Sequence, residues 1–147
     1  MKAKAYFSRA REAERDLRRL EAMIEHYKTI GSSITSRWGA TPPSGSSGSS
    51  KVESAVLGIV EAEEGIQAEL EAYRKIVLEA EKVISHVRQS RFRQILTLHY
   101  LAGLSLPETG AKLGYNDRNS IYRAHRFALG EAQVILDMMG GSDGNNG

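Results

Sequence analysis

The chain has 147 residues, 41% apolar and 26% charged, enough to bury one domain's core, and without cysteine it has neither a disulfide framework nor a thiolate metal site. No apolar run approaches the roughly 20 residues of a membrane span. The charges of "MKAKAYFSRAREAERDL" fall where a signal peptide needs an apolar core, so a cytoplasmic protein with no membrane partner is expected. The net charge of +2 is bland, and only its distribution along the chain is informative.

In residues 1–30, with eight basic against five acidic residues, Tyr6, Ala10, Ala13, Leu17, Leu20, Ile24 and Tyr27 alternate steps of four and three. That is a heptad seam, thin at its two alanines. Residues 31–51, beginning "GSSITSRWGATPPSGSSGSS", are rich in Gly, Ser and Pro and predict a flexible loop, onto whose neighbours only Ile34 and Trp38 could dock. The seam resumes from Val52 through Val56, Ile59, Glu63, Ile66, Leu70, Tyr73, Val77, Ala80, Ile84 and Val87. It predicts a helix of about 36 residues, roughly 54 Å long. Residues 52–89 carry eight acidic against four basic side chains, so the two helices complement each other.

An antiparallel coiled-coil hairpin over residues 1–89 is the simplest arrangement. Two stripes back to back make a thin core, so two hairpins are expected to pair as a four-helix bundle, giving a homodimer or higher oligomer through the N-terminal helices. Tyr6, Tyr27 and Tyr73 read as packing residues. Glu63 either sets register or marks the wet end of the seam, and the second reading is preferred.

Residues 90–139 carry three shorter helical patterns. "SRFRQILTLHYLAG" places Phe92, Ile95, Leu96 and His99 at helical spacing and stops at Gly103. Ser105 with Glu108 forms a capping box, Pro107 sits in the first turn, and this second helix ends at Leu113 and Gly114. Asn116 or Asp117 caps the third, whose inward stripe is Ile121, Ala124, Ala128 and Leu129. Two short helices around a glycine turn are a helix-turn-helix arrangement. Gly110, which costs roughly 1 kcal/mol in a helix interior, is explained if the third helix crosses the second there. The tail 140–147, "GGSDGNNG", is expected to be disordered.

Between residues 88 and 127, seven basic side chains stand against Glu108 and Asp117, where a polyanion would bind. On the third helix Arg118, Asn119, Tyr122, Arg123 and Arg126 lie off the inward stripe and are the candidates for base contacts, since arginine and asparagine have the forked groups that read base edges. Ser105, Lys112 and Ser120 are the candidates for phosphate contacts. Arg91 and Arg93 are expected to cap and solvate the preceding helix more than to touch phosphate, and His125 to be packed or solvated.

"ILTLHYLAGLSLPETGAKLGYNDRNSIYRAHRFAL" resembles region 4 of bacterial sigma factors. A heptad-rich first half, a Ser/Gly/Pro loop and then "LTLHYLAGLSLPETGAKLGY" with "IYRAHRFAL" resemble phage and prophage late-gene transcription activators of the ArpU and RinA type. The resemblance implies an all-α protein: an N-terminal helical hairpin followed by a three-helix, sigma-region-4-like DNA-binding domain. It implies a sequence-specific regulator that activates late genes in a bacterial host, with double-stranded DNA and host RNA polymerase as partners. Thr109 stands where the family has a large aliphatic residue, and His99 where arginine is common. The turn from Gly114 to Ile121 is one residue longer, which leaves open which of Arg118, Asn119 and Ser120 faces the bases. Nothing resembles the aromatic-rich promoter-melting region, so a complete sigma factor is not expected.

The rivals are a small-terminase-like packaging protein and a sigma-mimicking polymerase-binding module. An enzyme is the class least expected. No nucleophile, base and orienting group recur at useful spacing, and the four scattered histidines suggest neither a metal nor another cofactor.

Overall fold

Helical periodicity runs through the whole described chain. The computed structural model describes residues 1–38 and 46–144, with the side chains of 34–38, 46–50, 52 and 141–144 outside that description. Among the described residues there is no strand. The elements are α1 (Ala3–Trp38), α2 (Ser46–Ser85), α3 (Ser90–Leu96), which continues into one π-helical turn (Thr97–Leu101), α4 (Leu106–Leu113) and α5 (Arg118–Gly144). No helix among the described residues is long and apolar enough to cross a membrane.

Three expectations are corrected by these boundaries. The loop expected over 31–51 is helical at Gly31–Trp38 and from Ser46 onward, and the tail expected to be disordered is helical to Gly144. The physical reason is the same in each case. Nucleation is the costly step of helix formation, and extending an existing helix through serine or glycine costs at most about 1 kcal/mol per residue. The rest of the expected loop and tail, and the docking of Ile34 and Trp38, lie outside what is described.

The chain forms two compact units: Met1–Arg15 with Tyr73–Gly147, and Asp16–Ala72. The sequence-based boundary between 89 and 90 therefore falls inside the first unit. In Asp16–Ala72, Leu17, Leu20 and Ile24 of α1 and Ile66 and Leu70 of α2 are buried, as the seam requires. Tyr27 borders a groove with Gly31, Val56, Ile59 and Glu63. Val56, expected in the seam, is 37% exposed. The small residues Gly31 and Ser32 that share its groove leave it uncovered.

The other unit is built around Phe7, which is fully buried and stacks on Tyr100 with ring centroids 5.4 Å apart. Ala3, Ala10, Ala80, Val83, Ile84, Val87, Leu96, Ala128 and Ala132 complete the cluster. Its many alanines let helix backbones approach closely around one large ring, so the thin early seam is a socket. Tyr6, expected in the seam, is only half-buried, and its neighbour Phe7 takes the central place. The start of the chain is tied to α5: the Ala3 amide donates to Gln133 Oε1 at 2.6 Å, and Gln133 Nε2 donates to the Met1 carbonyl at 3.1 Å.

Candidate nucleic-acid interface

Local chemistry fixes both ends of α4. The Glu108 amide donates to Ser105 Oγ at 3.2 Å and the Ser105 amide to Glu108 Oε1 at 3.4 Å, so the capping box is complete. At the other end Gly114 adopts φ +84°, the Tyr115 amide donates to the Gly110 carbonyl at 2.8 Å and the Gly114 amide to Ala111 at 3.3 Å. These two bonds are a Schellman closure, which needs a left-handed residue where glycine is at ease. Arg91 adds a clamp: its guanidinium donates to the Leu113 carbonyl at 2.5 Å and lies 5.5 Å from the centre of the Tyr115 ring.

Gly110 is the point of contact between α4 and α5. A Cβ placed there would lie 3.1 Å from Ile121 Cβ and 3.2 Å from its Cγ2, tighter than ordinary van der Waals contact. Beside it Thr109 is fully buried and donates its hydroxyl to the Ser105 carbonyl at 2.8 Å. A threonine thus stands in for an aliphatic residue by satisfying its one polar group within its own helix.

Asp117 opens α5 by accepting the Asn119 amide at 3.1 Å, while its carbonyl accepts the Ser120 amide at 3.1 Å. The buried stripe of α5 is Ile121, His125, Ala128 and Ala132. This corrects the expected stripe, since Ala124 and Leu129 are only half-buried and His125 takes a core place. A histidine is admitted there because Tyr100 Oη lies 2.7 Å from its Nε2.

Asn119, Tyr122, Arg123 and Arg126 are exposed on the side of α5 away from that stripe. Arg118 is also exposed, with its guanidinium 5.8 Å from the centre of the Tyr122 ring. Ser120 is half-buried and its hydroxyl leans toward Asp117 Oδ2 at 3.5 Å, so within the lengthened turn it is the least outward of the three residues in question. Ser105 Oγ accepts its cap bond and keeps its own proton to donate. Lys112 is exposed and shares a groove with Ser90, Arg93 and Thr97.

Arg93 donates to the carbonyls of Val87 and Arg88 at 2.6 and 2.8 Å, in the connection between α2 and α3. Arg93 therefore holds the connection that follows α2, while Arg91 caps the end of α4 and not, as expected, the helix before it. The sequence carried no signal for the Arg91–Leu113 pair, 22 residues apart, nor for Arg11 donating to Gly103 at 3.3 Å.

Beneath the exposed face lies an aromatic and imidazole cluster. His99 Nδ1 is 2.7 Å from the Leu104 carbonyl, and its ring lies edge-on to Tyr100 and His125 at 4.6 and 5.4 Å. Burial, then the neighbouring His99 and Lys4, lower the His125 pKa to about 4, while burial raises the Tyr100 hydroxyl to about 12. Burial also lowers His99, against the opposing pull of its carbonyl bond. A neutral imidazole accepting from a neutral phenol is the state these shifts favour. Among the described residues no three metal-ligating side chains converge. Set against known proteins, the chain matches no family model, no curated protein and no solved structure.

Proposed function

We propose that the chain is a sequence-specific regulator of transcription that binds double-stranded DNA through a helix-turn-helix formed by α4 and α5. The observation that carries this reading is the approach at Gly110. It seats α5 against α4 and leaves Asn119, Arg123 and Arg126 together on the outward side, where no ion pair among the described residues holds the two arginines. A helix so presented fits the major groove, with Ser105, Lys112 and Ser120 near the phosphates. The resemblance to sigma region 4 and to ArpU- and RinA-type activators extends the reading to activation of phage or prophage late genes in the bacterial cytoplasm, in contact with host RNA polymerase. Hairpin pairing of α1 and α2 between copies supplies self-association.

Selection of bound sites from random double-stranded DNA, followed by a reporter assay on the winning site, tests the proposal. Replacing both Arg123 and Arg126 by alanine is expected to weaken binding at least tenfold, at about 1–3 kcal/mol per well-formed base contact, and to flatten its salt dependence. Wild-type protein that ignores DNA at low ionic strength would overturn it. Capture of polymerase by such a protein would favour the sigma-mimicking reading instead.

A further inference from the structure

The segment Met1–Arg15, which opens α1, belongs to the compact unit that holds α4 and α5, and it carries a basic row that the core leaves unused. Lys4, Ser8, Arg11 and Arg15 follow at steps of four, three and four, which places them on one flank of the helix. That flank lies about 100° round the helix from the buried line of Ala3, Phe7 and Ala10. Lys4 and Arg15 are exposed, and Ser8 and Arg11 are half-buried. Among the described residues no ion pair holds Lys4, Arg11 or Arg15, and Glu12, exposed beside the row, is paired with none of them.

Two contacts fix where the row stands. At its start the chain is tied to Gln133 of α5, and the charge of Lys4 is felt at His125, the residue before Arg126. Two turns further on, Arg11 Nη2 donates to the Gly103 carbonyl at 3.3 Å, and its charge is felt at His99 and Tyr100. Gly103 lies two residues before Ser105, the cap of α4. The row therefore runs from the part of α5 where Arg126 faces outward to the loop that opens α4.

Charge divides along the same boundary. Met1–Arg15 has five basic side chains against Glu12 and Glu14, whereas Asp16–Ala72 has nine acidic against five basic. The basic excess of α1 thus ends where its share of the unit with α4 and α5 ends. The bond to Gly103 takes one N–H of the five that a guanidinium carries. No hydrogen bond among the described residues involves the side chains of Lys4 or Arg15, so helix capping accounts for part of Arg11 and for neither of the others.

We propose that Lys4 and Arg11 bind backbone phosphates of the duplex, beside the phosphate met by Ser105, so that the start of the chain and the helix-turn-helix grip one stretch of DNA. This rests on the DNA-binding reading above. In that arrangement the first helix of the pair crosses the backbone, so the strand that passes the Ser105 end of α4 passes Arg11 as well. A guanidinium meets a phosphate through paired donors and an ammonium meets it as a point charge. Phosphates are alike at every position, so these contacts add affinity without sequence preference.

The test is the salt dependence of binding by the full chain, measured on a selected duplex and on an unrelated one. Lys4→Gln with Arg11→Gln is expected to lower the slope of log affinity against log salt by about 1.8, at ~0.9 per phosphate. Affinity for both duplexes should fall by the same factor, leaving their ratio unchanged, whereas Arg123→Ala with Arg126→Ala should lower that ratio. An unchanged slope, or a loss confined to the selected duplex, would overturn the proposal. Glutamine keeps a donor for the Gly103 carbonyl. Should the double variant nevertheless melt at a lower temperature, Lys4→Gln alone is expected to lower the slope by about 0.9 at an unchanged melting temperature, and an unchanged slope there would overturn the proposal equally. Wild type that binds neither duplex at low ionic strength would bring down the DNA reading and this inference together. Wild type that binds both, with variants that match it, would bring down the α1 contacts alone.

Discussion

The two compact units use one helical alphabet to different ends. In Asp16–Ala72 the buried positions Leu17, Leu20, Ile24, Ile66 and Leu70 are leucines and isoleucines in two rows, and any apolar side chain of similar volume meets their requirement. In the unit around Phe7 the core has a stacked aromatic pair, a threonine bonded to its own helix, a histidine bonded to a tyrosine and a glycine at a helix crossing. Periodicity is enough to build the first, whereas the second depends on particular side chains in particular places. A surface that must hold several groups at fixed spacing calls for the second kind of core.

The sharpest way to break this comparison is Phe7→Ala. It should cost about 3–5 kcal/mol in the unit that holds Tyr100, read by denaturant titration, with amide exchange across Asp16–Ala72 little changed. Equal loss of protection in both units would mean that they do not answer separately. Next in size, Gly110→Leu forces α5 from its seat, at about 1–3 kcal/mol for overpacking. DNA affinity should fall at least a hundredfold while the helical circular dichroism of α1 and α2 persists, and intact binding would remove the reason for the glycine.

Acid sharpens the contrast because both perturbed histidines lie in the unit around Phe7. His125 has a folded pKa of about 4 against an ordinary 6.5, and His99 is also lowered. A base whose folded pKa is depressed binds its proton more readily when unfolded. The stability it lends is full above pH 6.5 and is lost as the pH falls toward 4, at up to about 1.4 kcal/mol per pH unit for each proton. Melting between pH 7 and 5 should show this slope, and His125→Gln should remove the larger part of it. The smallest effect expected is that of Ser105→Ala, about 1 kcal/mol from the lost cap, with a matching loss of amide protection at the start of α4.

What the residues revealed in advance follows the same division. Local signals were legible: the capping box at Ser105 and Glu108, the left-handed Gly114, the crossing at Gly110 and the seam from Ala10 to Ile24 all follow from neighbours within a few positions. Phe7 displacing Tyr6, and His125 displacing Ala124 and Leu129, depend on Tyr100, 93 and 25 residues away from the two it receives, and no periodicity encodes such a partner. The helices through Gly31–Trp38 and up to Gly144 were illegible for another reason. Composition reports what a segment would do alone, not what it does when attached to a formed helix. At the proposed interface the exposure of Asn119, Arg123 and Arg126 was readable from their spacing against Ile121, while the clamp by Arg91 was not.

The bond from Ala3 to Gln133 spans 130 positions of sequence. During synthesis the first turn of α1 therefore emerges long before the residue that holds it, and Phe7 must wait for Ala128 and Ala132 to enclose it. Asp16–Ala72 needs only residues already made, so the nascent chain is expected to fold from its middle outward and to acquire α5 last.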